Sequence, residues 1–355
     1  MQLKTTHWWK IPSHKNVEEL KELEEMRSAA RLLREGGLVA FPTETVYGLG
    51  ADATKEEASS AIFAAKGRPK DNPLIVHIGQ KKQLTQITRE IPPVAHQLLH
   101  RFCPGPLTLV LKHNGSLAQT VTAGLDTVAV RIPSHPVALA LLQLADIPIA
   151  APSANRSGRP SPTTADHVWS DLAGKIDILL DSGPTSVGVE STVVDVTGKV
   201  PVLLRPGGIT IEELKKAIGK IEMDPGLLNQ KRKPRSPGMK YKHYAPQGEL
   251  WLVQGEEKSM IRKMRQLAEQ ALARGKKVGI LTTEEHQDQF RGLFVVSCGR
   301  RKEPASVAIR LYDALRRFDE EKVEIIYAES FPQYGLFHSI MNRLWKAAGG
   351  RVIKS

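Results

Sequence analysis

Cysteine is scarce in this chain. Its 355 residues include two, Cys103 and Cys298, far apart and without a CxxC pair. That excludes a thiolate zinc site and a disulfide framework, and it fits a reducing compartment. Long apolar runs are also missing. The most apolar helical stretch, Val137 to Ala145, is far too short to span a bilayer. Residues Met1 to Lys10 lack the apolar core of a signal peptide. The expectation is a soluble cytoplasmic protein with no membrane partner. The sequence has no GxxxxGK[ST] loop, no GxGxxG turn, no HExxH, no GxSxG and no obvious carboxylate pair. Neither common phosphate fingerprint applies, and no metal site or covalent nucleophile stands out.

What is present is a basic, mixed chain. Lysine and arginine number 50 against 38 acids, a formal charge of +12, and 41% of residues are apolar. The excess suits an anionic partner such as a nucleotide or RNA, and the length favours two domains. Residues 1–15 read as an arm whose Trp8 and Trp9 pack onto a neighbouring surface. Val17 to Glu35 has helical periodicity. Short apolar strands and helices then mix without strict βα alternation as far as Ile218, which predicts a mixed, twisted sheet. A segment with six Lys or Arg, two prolines and no acid follows, from Lys231 to Tyr244. It reads as a linker. Four short strands and three helices beyond it predict a smaller Rossmann-like α/β domain. The expected boundaries are 1–222 for the first domain, 223–248 for a basic linker acting as a lid, and 249–355 for the second.

The first domain is organised around Phe41 to Ile78. Lys66, Arg68 and Lys70 lie within five residues, broken by Gly67, Pro69 and Pro73, so they sit on a shaped loop between a helix and a strand. Such a loop suits a phosphate chain. Four more stretches of small polar residues fall at strand ends: Arg131–Pro133, Ala151–Thr163, Asp181–Pro184 running on to Thr192, and Leu204–Gly208. Strand-end loops are where α/β proteins build ligand sites. Each residue has a plainer alternative. Thr43, Thr45, Ser153 and Ser161 can satisfy turns or caps, His77 can be a hydrogen-bonded core histidine, and Arg131 can pair with a structural acid. As a set on successive loops they read better as a site working by positioning and charge stabilisation, as in phosphoryl or nucleotidyl transfer. The rival from the same residues is a double-stranded RNA or tRNA-binding module without turnover.

The ordered motifs Phe41-Pro42-Thr43-Glu44-Thr45-Val46-Tyr47-Gly48-Leu49, Lys66-Gly67-Arg68-Pro69, Asn72-Pro73-Leu74, Pro104-Gly105-Pro106-Leu107-Thr108, Ala151-Pro152-Ser153-Ala154-Asn155, Glu190-Ser191-Thr192-Val193-Val194-Asp195 and Leu204-Arg205-Pro206-Gly207 closely resemble the threonylcarbamoyl-AMP synthase family, built on the YrdC-like domain. The linker motif Ser236 to Pro246 and the extra α/β domain resemble its long, two-domain branch. The resemblance implies a nucleotidyltransferase in tRNA processing. L-threonine, bicarbonate and ATP would give threonylcarbamoyl-AMP and pyrophosphate for the modification beside the anticodon. It implies that Thr45, His77, Arg131, Ala151 and Ser191 hold threonine. Arg68, Asn72, Thr127, Ser153, Ser161, Arg205 and Tyr241 would hold ATP, with Lys66 and Arg68 as the catalytic cations. Mg²⁺ would travel with ATP and need no protein site. The implied partners are a downstream tRNA threonylcarbamoyl-transferase complex and tRNA itself, bound weakly.

Overall fold

The computed structural model describes residues 4–228 and 244–355. Tyr241, Lys240 and the expected lid fall largely on residues 229–243, outside the described residues. The described chain divides into two compact units. Of the described residues, unit 1 comprises 4–157, 161–186 and 190–228, and unit 2 comprises 158–160, 187–189 and 244–355.

Unit 1 is built on one mixed sheet. In chain order its strands are β1 (His7–Lys10), β2 (Val39–Phe41), β3 (Gly48–Asp52), β4 (Ile75–His77), β5 (Leu107–Lys112), β6 (Thr127–Arg131), β7 (Ile149–Ala150), β8 (Ile178–Asp181), β9 (Thr192–Asp195), β10 (Val202–Arg205) and β11 (Glu222–Met223). They line up as β1-β8-β2-β3-β7-β4-β6-β5-β9-β10-β11. Parallel pairs such as β4·β6 and β5·β9 alternate with antiparallel pairs such as β5·β6 and β9·β10. This is the mixed α/β sheet expected from the sequence.

Side-chain alternation decides what the central strands do. One face of β4, β5, β6 and β9 carries Val76, Leu107, Leu109, Leu111, Val128, Val130 and Val194 into the main core. The residues between them, Ile75, Val110, Ala129 and Val193, point the other way and form a small apolar cluster with Leu204. That second face becomes the floor of the candidate site.

Three local expectations need correction. Residues 7–10 are not a packed arm but a strand, β1, parallel to β8 in a register that sets Trp8 against Leu179. The helix expected over 17–35 is two helices, Val17–Lys21 and Glu24–Arg34, because Leu23 is extended (φ −72°, ψ 133°). The run Pro42–Gly50 reads from its sequence as a turn, but its last three residues, 48–50, already belong to strand β3. Glycine lowers strand propensity, but here Phe41 closes over the backbone, and a Cβ on Gly50 would meet its ring at 2.8 Å.

Unit 2 holds a wholly parallel five-stranded sheet: β12 (Glu249–Gln254), β13 (Val278–Thr282), β14 (Phe294–Ser297), β15 (Ile325–Glu329) and β16 (Val352–Lys354), in the order β14-β13-β15-β12-β16. Met260, Met264 and Ala268 of the helix Glu257–Ala273 pack on Val253, Val278 and Ile280. The helix Pro304–Glu320 covers the opposite face, where Phe318 lies against Gly279. No described helix is long and apolar enough to cross a membrane.

Candidate active site

Strand register gathers the site. His77 of β4 is paired with Arg131 of β6, Arg131 is paired with Thr108 of β5, and Thr108 is paired with Val193 of β9. His77, Arg131 and Thr108 therefore stand side by side on the face with the small apolar cluster. Ser191, two residues before Val193, joins them: its Oγ lies 2.7 Å from Thr108 Oγ1. Arg205 donates to Ser191 O and Oγ, each at 3.1 Å. Gly207 lets this loop approach, since a Cβ there would sit 2.3 Å from Ser191 C and Thr192 N.

The turn between β2 and β3 closes the row. Thr43 Oγ1 donates to Val46 O at 2.7 Å and lies 2.9 Å from Thr45 Oγ1. Thr45 Oγ1 accepts from Arg131 Nη1 at 2.8 Å. Arg131 Nη2 is 2.7 Å from Glu44 Oε1 in an ion pair with both side chains buried. The two atoms are close but not aligned for a hydrogen bond, so the contact is chiefly coulombic. Glu44 Oε2 accepts from Ser134 N at 3.1 Å. Arg131 Nε also donates to Gly105 O at 3.4 Å, so the guanidinium is held on three sides. Ala151 is anchored by its N–H to Ile75 O at 2.9 Å. Thr45, His77, Arg131, Ala151 and Ser191 are all buried.

A second group adjoins. Lys66 ends the helix Glu56–Lys66, and Gly67 turns the chain in the left-handed conformation at φ 62°. The Lys66 ammonium donates to Ser153 O and, at 2.5 Å, to Asn155 O. Arg68 donates to Asn72 O and Pro73 O at 3.2–3.4 Å. Ser153 Oγ donates to Asn155 Oδ1 and Ser161 Oγ to Glu190 Oε1, both at 2.6 Å. Thr127 shares a face with Ala129 and Arg131 but lies four residues back along β6, roughly 13 Å away at about 3.3 Å per residue. It stands apart from the other polar groups, across the apolar floor.

Burial shifts three titratable groups in and around these residues. Burial, with Arg131 close by, pushes the His77 imidazole down to about 3. Burial raises the Cys103 thiol to about 11. Tyr47 is raised well above the phenol range by burial and Asp181, and its hydroxyl donates to Gly183 O at 2.7 Å. All three are neutral near pH 7. His77 then contributes to stability at neutral pH. The unfolded chain takes up a proton below about pH 6.5 while the native site refuses it to about pH 3, so stability falls as pH drops through that window. Between about pH 5.5 and 4 the wild type will lose roughly 1.4 kcal/mol per pH unit more than His77→Gln. Urea titrations read by hydrogen exchange in β4 and β6 will show it; equal slopes would mean that the native site accepts the proton.

The sequence reading omitted Glu44 and Thr108. Both lie inside recognised motifs, and Glu44 is the one acid in the run Pro42–Gly50. An isolated acid among hydroxyls, in a protein with a buried arginine to pair, was the available signal.

Comparison with known proteins agrees with this geometry. Residues 31–207 match a family profile described as Sua5_yciO_yrdC, telomere recombination. Residues 209–349 match one described as threonylcarbamoyl-AMP synthase, C-terminal domain. The chain is 54% identical over 331 residues to the threonylcarbamoyl-AMP synthase of Bacillus subtilis, covering 93% of this chain and 94% of the relative. It is 48% identical over 340 residues to that of Pyrococcus abyssi, covering 96% and 98%. It is also similar to the crystal structure of P. abyssi Sua5 complexed with L-threonine, with 45% identity, a TM-score of 0.89 and 99% of both chains covered. The class is that of a nucleotidyl-transferring enzyme acting in tRNA modification. The chain belongs to the threonylcarbamoyl-AMP synthase family.

Proposed function

We propose that this chain condenses L-threonine, bicarbonate and ATP into threonylcarbamoyl-AMP, pyrophosphate and water, in the cytoplasm. The observation that carries the reading is Arg131, buried and fixed by Thr45 and Glu44 in register with His77 and Thr108. An oriented guanidinium fork matches a carboxylate. The P. abyssi relative solved with L-threonine supports that carboxylate being threonine's. Thr45, His77, Ala151 and Ser191 complete this subsite. The neutral His77 ring lies 3.4 Å from Ile75 O through Nδ1, which with Nδ1 protonated leaves Nε2 as an acceptor for a substrate N–H or O–H.

ATP would occupy the adjoining groups. Arg68, Asn72, Ser153, Ser161 and Arg205 border the subsite, and Thr127 closes the far end of the floor. Ala129, Val110, Val193 and Leu204 between them offer an apolar bed for base or ribose. The amine of threonine takes up carbon dioxide derived from bicarbonate, giving a carbamate. A carbamate oxygen attacks the α-phosphorus, the bond to the β-phosphate oxygen breaks, and pyrophosphate leaves. Lys66 and Arg68 are the catalytic cations, Lys66 acting through the Ser153 loop that it holds. Magnesium enters with ATP, because the nearby carboxylates are engaged, Glu44 by Arg131 and Ser134 and Glu190 by Ser161. Residues 1–222 form the catalytic domain, 223–248 the linker and 249–355 the C-terminal domain. The product passes to a tRNA threonylcarbamoyl-transferase complex, and contact with tRNA itself is weak.

Pyrophosphate release tests this directly. It is expected only when threonine, bicarbonate and magnesium-ATP are all present, and the adenylate should appear in step with it. Release indifferent to threonine would overturn the reading, and salt-sensitive tRNA binding without turnover would favour the binding module.

A further inference from the structure

Unit 2 contains a site that the reaction above does not use. In its sheet order, the connection leaving β12 moves toward β13 on one side and that leaving β15 moves toward β16 on the other. Right-handed crossovers send these connections to opposite faces, and the helix packing agrees. The carboxyl ends of β12 and β15 are neighbours, so the sheet has its topological switch point there, the place where open α/β sheets bind ligands. A cavity of about 530 Å³ opens at this point, lined by Gly255–Lys258, Arg301 and Ser330–Pro332. That size is typical of small-molecule sites.

Two of the lining side chains, Glu257 and Arg301, belong to a closed ring of charges completed by His286 and Glu329. His286 Nδ1 is 2.8 Å from Glu329 Oε2, and His286 Nε2 is 3.6 Å from Glu257 Oε2. Glu257 Oε1 is 2.9 Å from Arg301 Nε, and Arg301 Nη1 is 3.7 Å from Glu329 Oε2. Glu329, next to the lining Ser330, is 1% exposed, and its Oε1 has no hydrogen-bond partner. A buried carboxylate oxygen is costly to leave unmatched. The helix Glu257–Ala273 has no side-chain cap, and its first residues line the cavity. Lys258 and Glu256 line the cavity as well and have no ion-pair partner among the described residues.

These groups demand both signs of charge. The lining sets Lys258 and Arg301 against Glu256 and Glu257. A balanced site gives little net attraction to a phosphate dianion or to a simple cation. It suits a small molecule whose carboxylate meets the uncapped helix end and Lys258 while its ammonium meets the acids. We infer that unit 2 binds a zwitterion of the free amino-acid class at the carboxyl ends of β12 and β15.

The test is calorimetric titration of the full chain with each common L-amino acid in turn, with inorganic phosphate, acetate and methylammonium as single-charge probes. At least one amino acid should bind, with its amide and its N-acetyl form weaker by at least about tenfold, or roughly 1.4 kcal/mol. Lys258→Ala and Glu256→Gln, both at exposed positions that line the cavity, should weaken it to a similar degree. Binding should persist in Arg131→Gln, which separates it from threonine held on the catalytic floor. Absence of amino-acid binding, binding indifferent to Lys258→Ala and Glu256→Gln, or tighter binding of phosphate alone would each overturn the inference. Failure of the synthase reading would leave this result untouched.

Discussion

Arg131→Ala will abolish threonine-dependent pyrophosphate release, lowering kcat/KM for threonine by about 10²–10³-fold. The reason lies in what the arginine leaves behind. Truncating one member of a buried, hydrogen-bonded charge pair costs about 2–5 kcal/mol in binding, and about 1.4 kcal/mol is a factor of ten. The same change removes the partner of Glu44, which is as buried as the arginine. A buried ion pair broken on one side typically costs about 3–5 kcal/mol of stability, so the variant will also unfold at lower urea. Two effects from one substitution can be separated. Adding Glu44→Gln removes the stranded charge while keeping an acceptor near Ser134 N, so the double variant should recover much of the stability and none of the threonine response. ATP binding should survive in both. Urea midpoints, ATP titrations and pyrophosphate release on the two variants check the set. A threonine KM unchanged in Arg131→Ala would remove the arginine from the substrate site.

Glu44 also shows where reading the sequence stopped. The strands over Leu107–Lys112 and Thr127–Ile132 were legible, because both runs are rich in apolar, β-forming residues. So was the hydroxyl-rich character of the strand-end loops. The pairing was not. His77 and Arg131 are 54 positions apart in sequence, and nothing local says that β4 and β6 are parallel neighbours while β5 runs against β6. Without the register, Thr108 is one more threonine in a strand and Glu44 one more acid in a turn. The family resemblance supplied the residues that its motifs mark, and the register added those that hold them.

The cation cluster taught a similar point. Lys66, Arg68 and Lys70 look equivalent in sequence, but Gly67 reverses the chain after the helix. Lys66 becomes buried, Arg68 half-buried and Lys70 exposed. Unit 2 was legible as Rossmann-like from its strands and helices, although its last strand, β16, was not foreseen. Charged residues spread from position 257 to position 329 gave no motif. Only the strand order brings Glu257, His286, Arg301 and Glu329 together.

Lys66→Ala should separate the two subsites. The ammonium sits on the carbonyls of Ser153 and Asn155, and Ser157 N donates back to Lys66 O at 2.8 Å. Charge-assisted hydrogen bonds of this kind contribute about 1.5–3 kcal/mol each. The loop keeps other ties: Leu49 N donates to Pro152 O and Ala154 N to Tyr47 O, both at 2.8 Å. It should therefore loosen rather than unfold. The lysine head sits on the Ser153 and Asn155 carbonyls of the ATP side, so the damage should be one-sided. The KM for ATP should rise by about 10–100-fold, equivalent to roughly 1.4–2.8 kcal/mol, while threonine affinity measured by calorimetry changes little. Lys66→Arg should not rescue it, because a planar guanidinium cannot replace a compact ammonium in a seat that is 4% exposed. Equal losses for both substrates would mean that Lys66 supports the whole floor. An unchanged ATP dependence would mean that the Ser153 loop does not bind the nucleotide, and the ATP side of the site would have to be redrawn around Arg68 and Arg205.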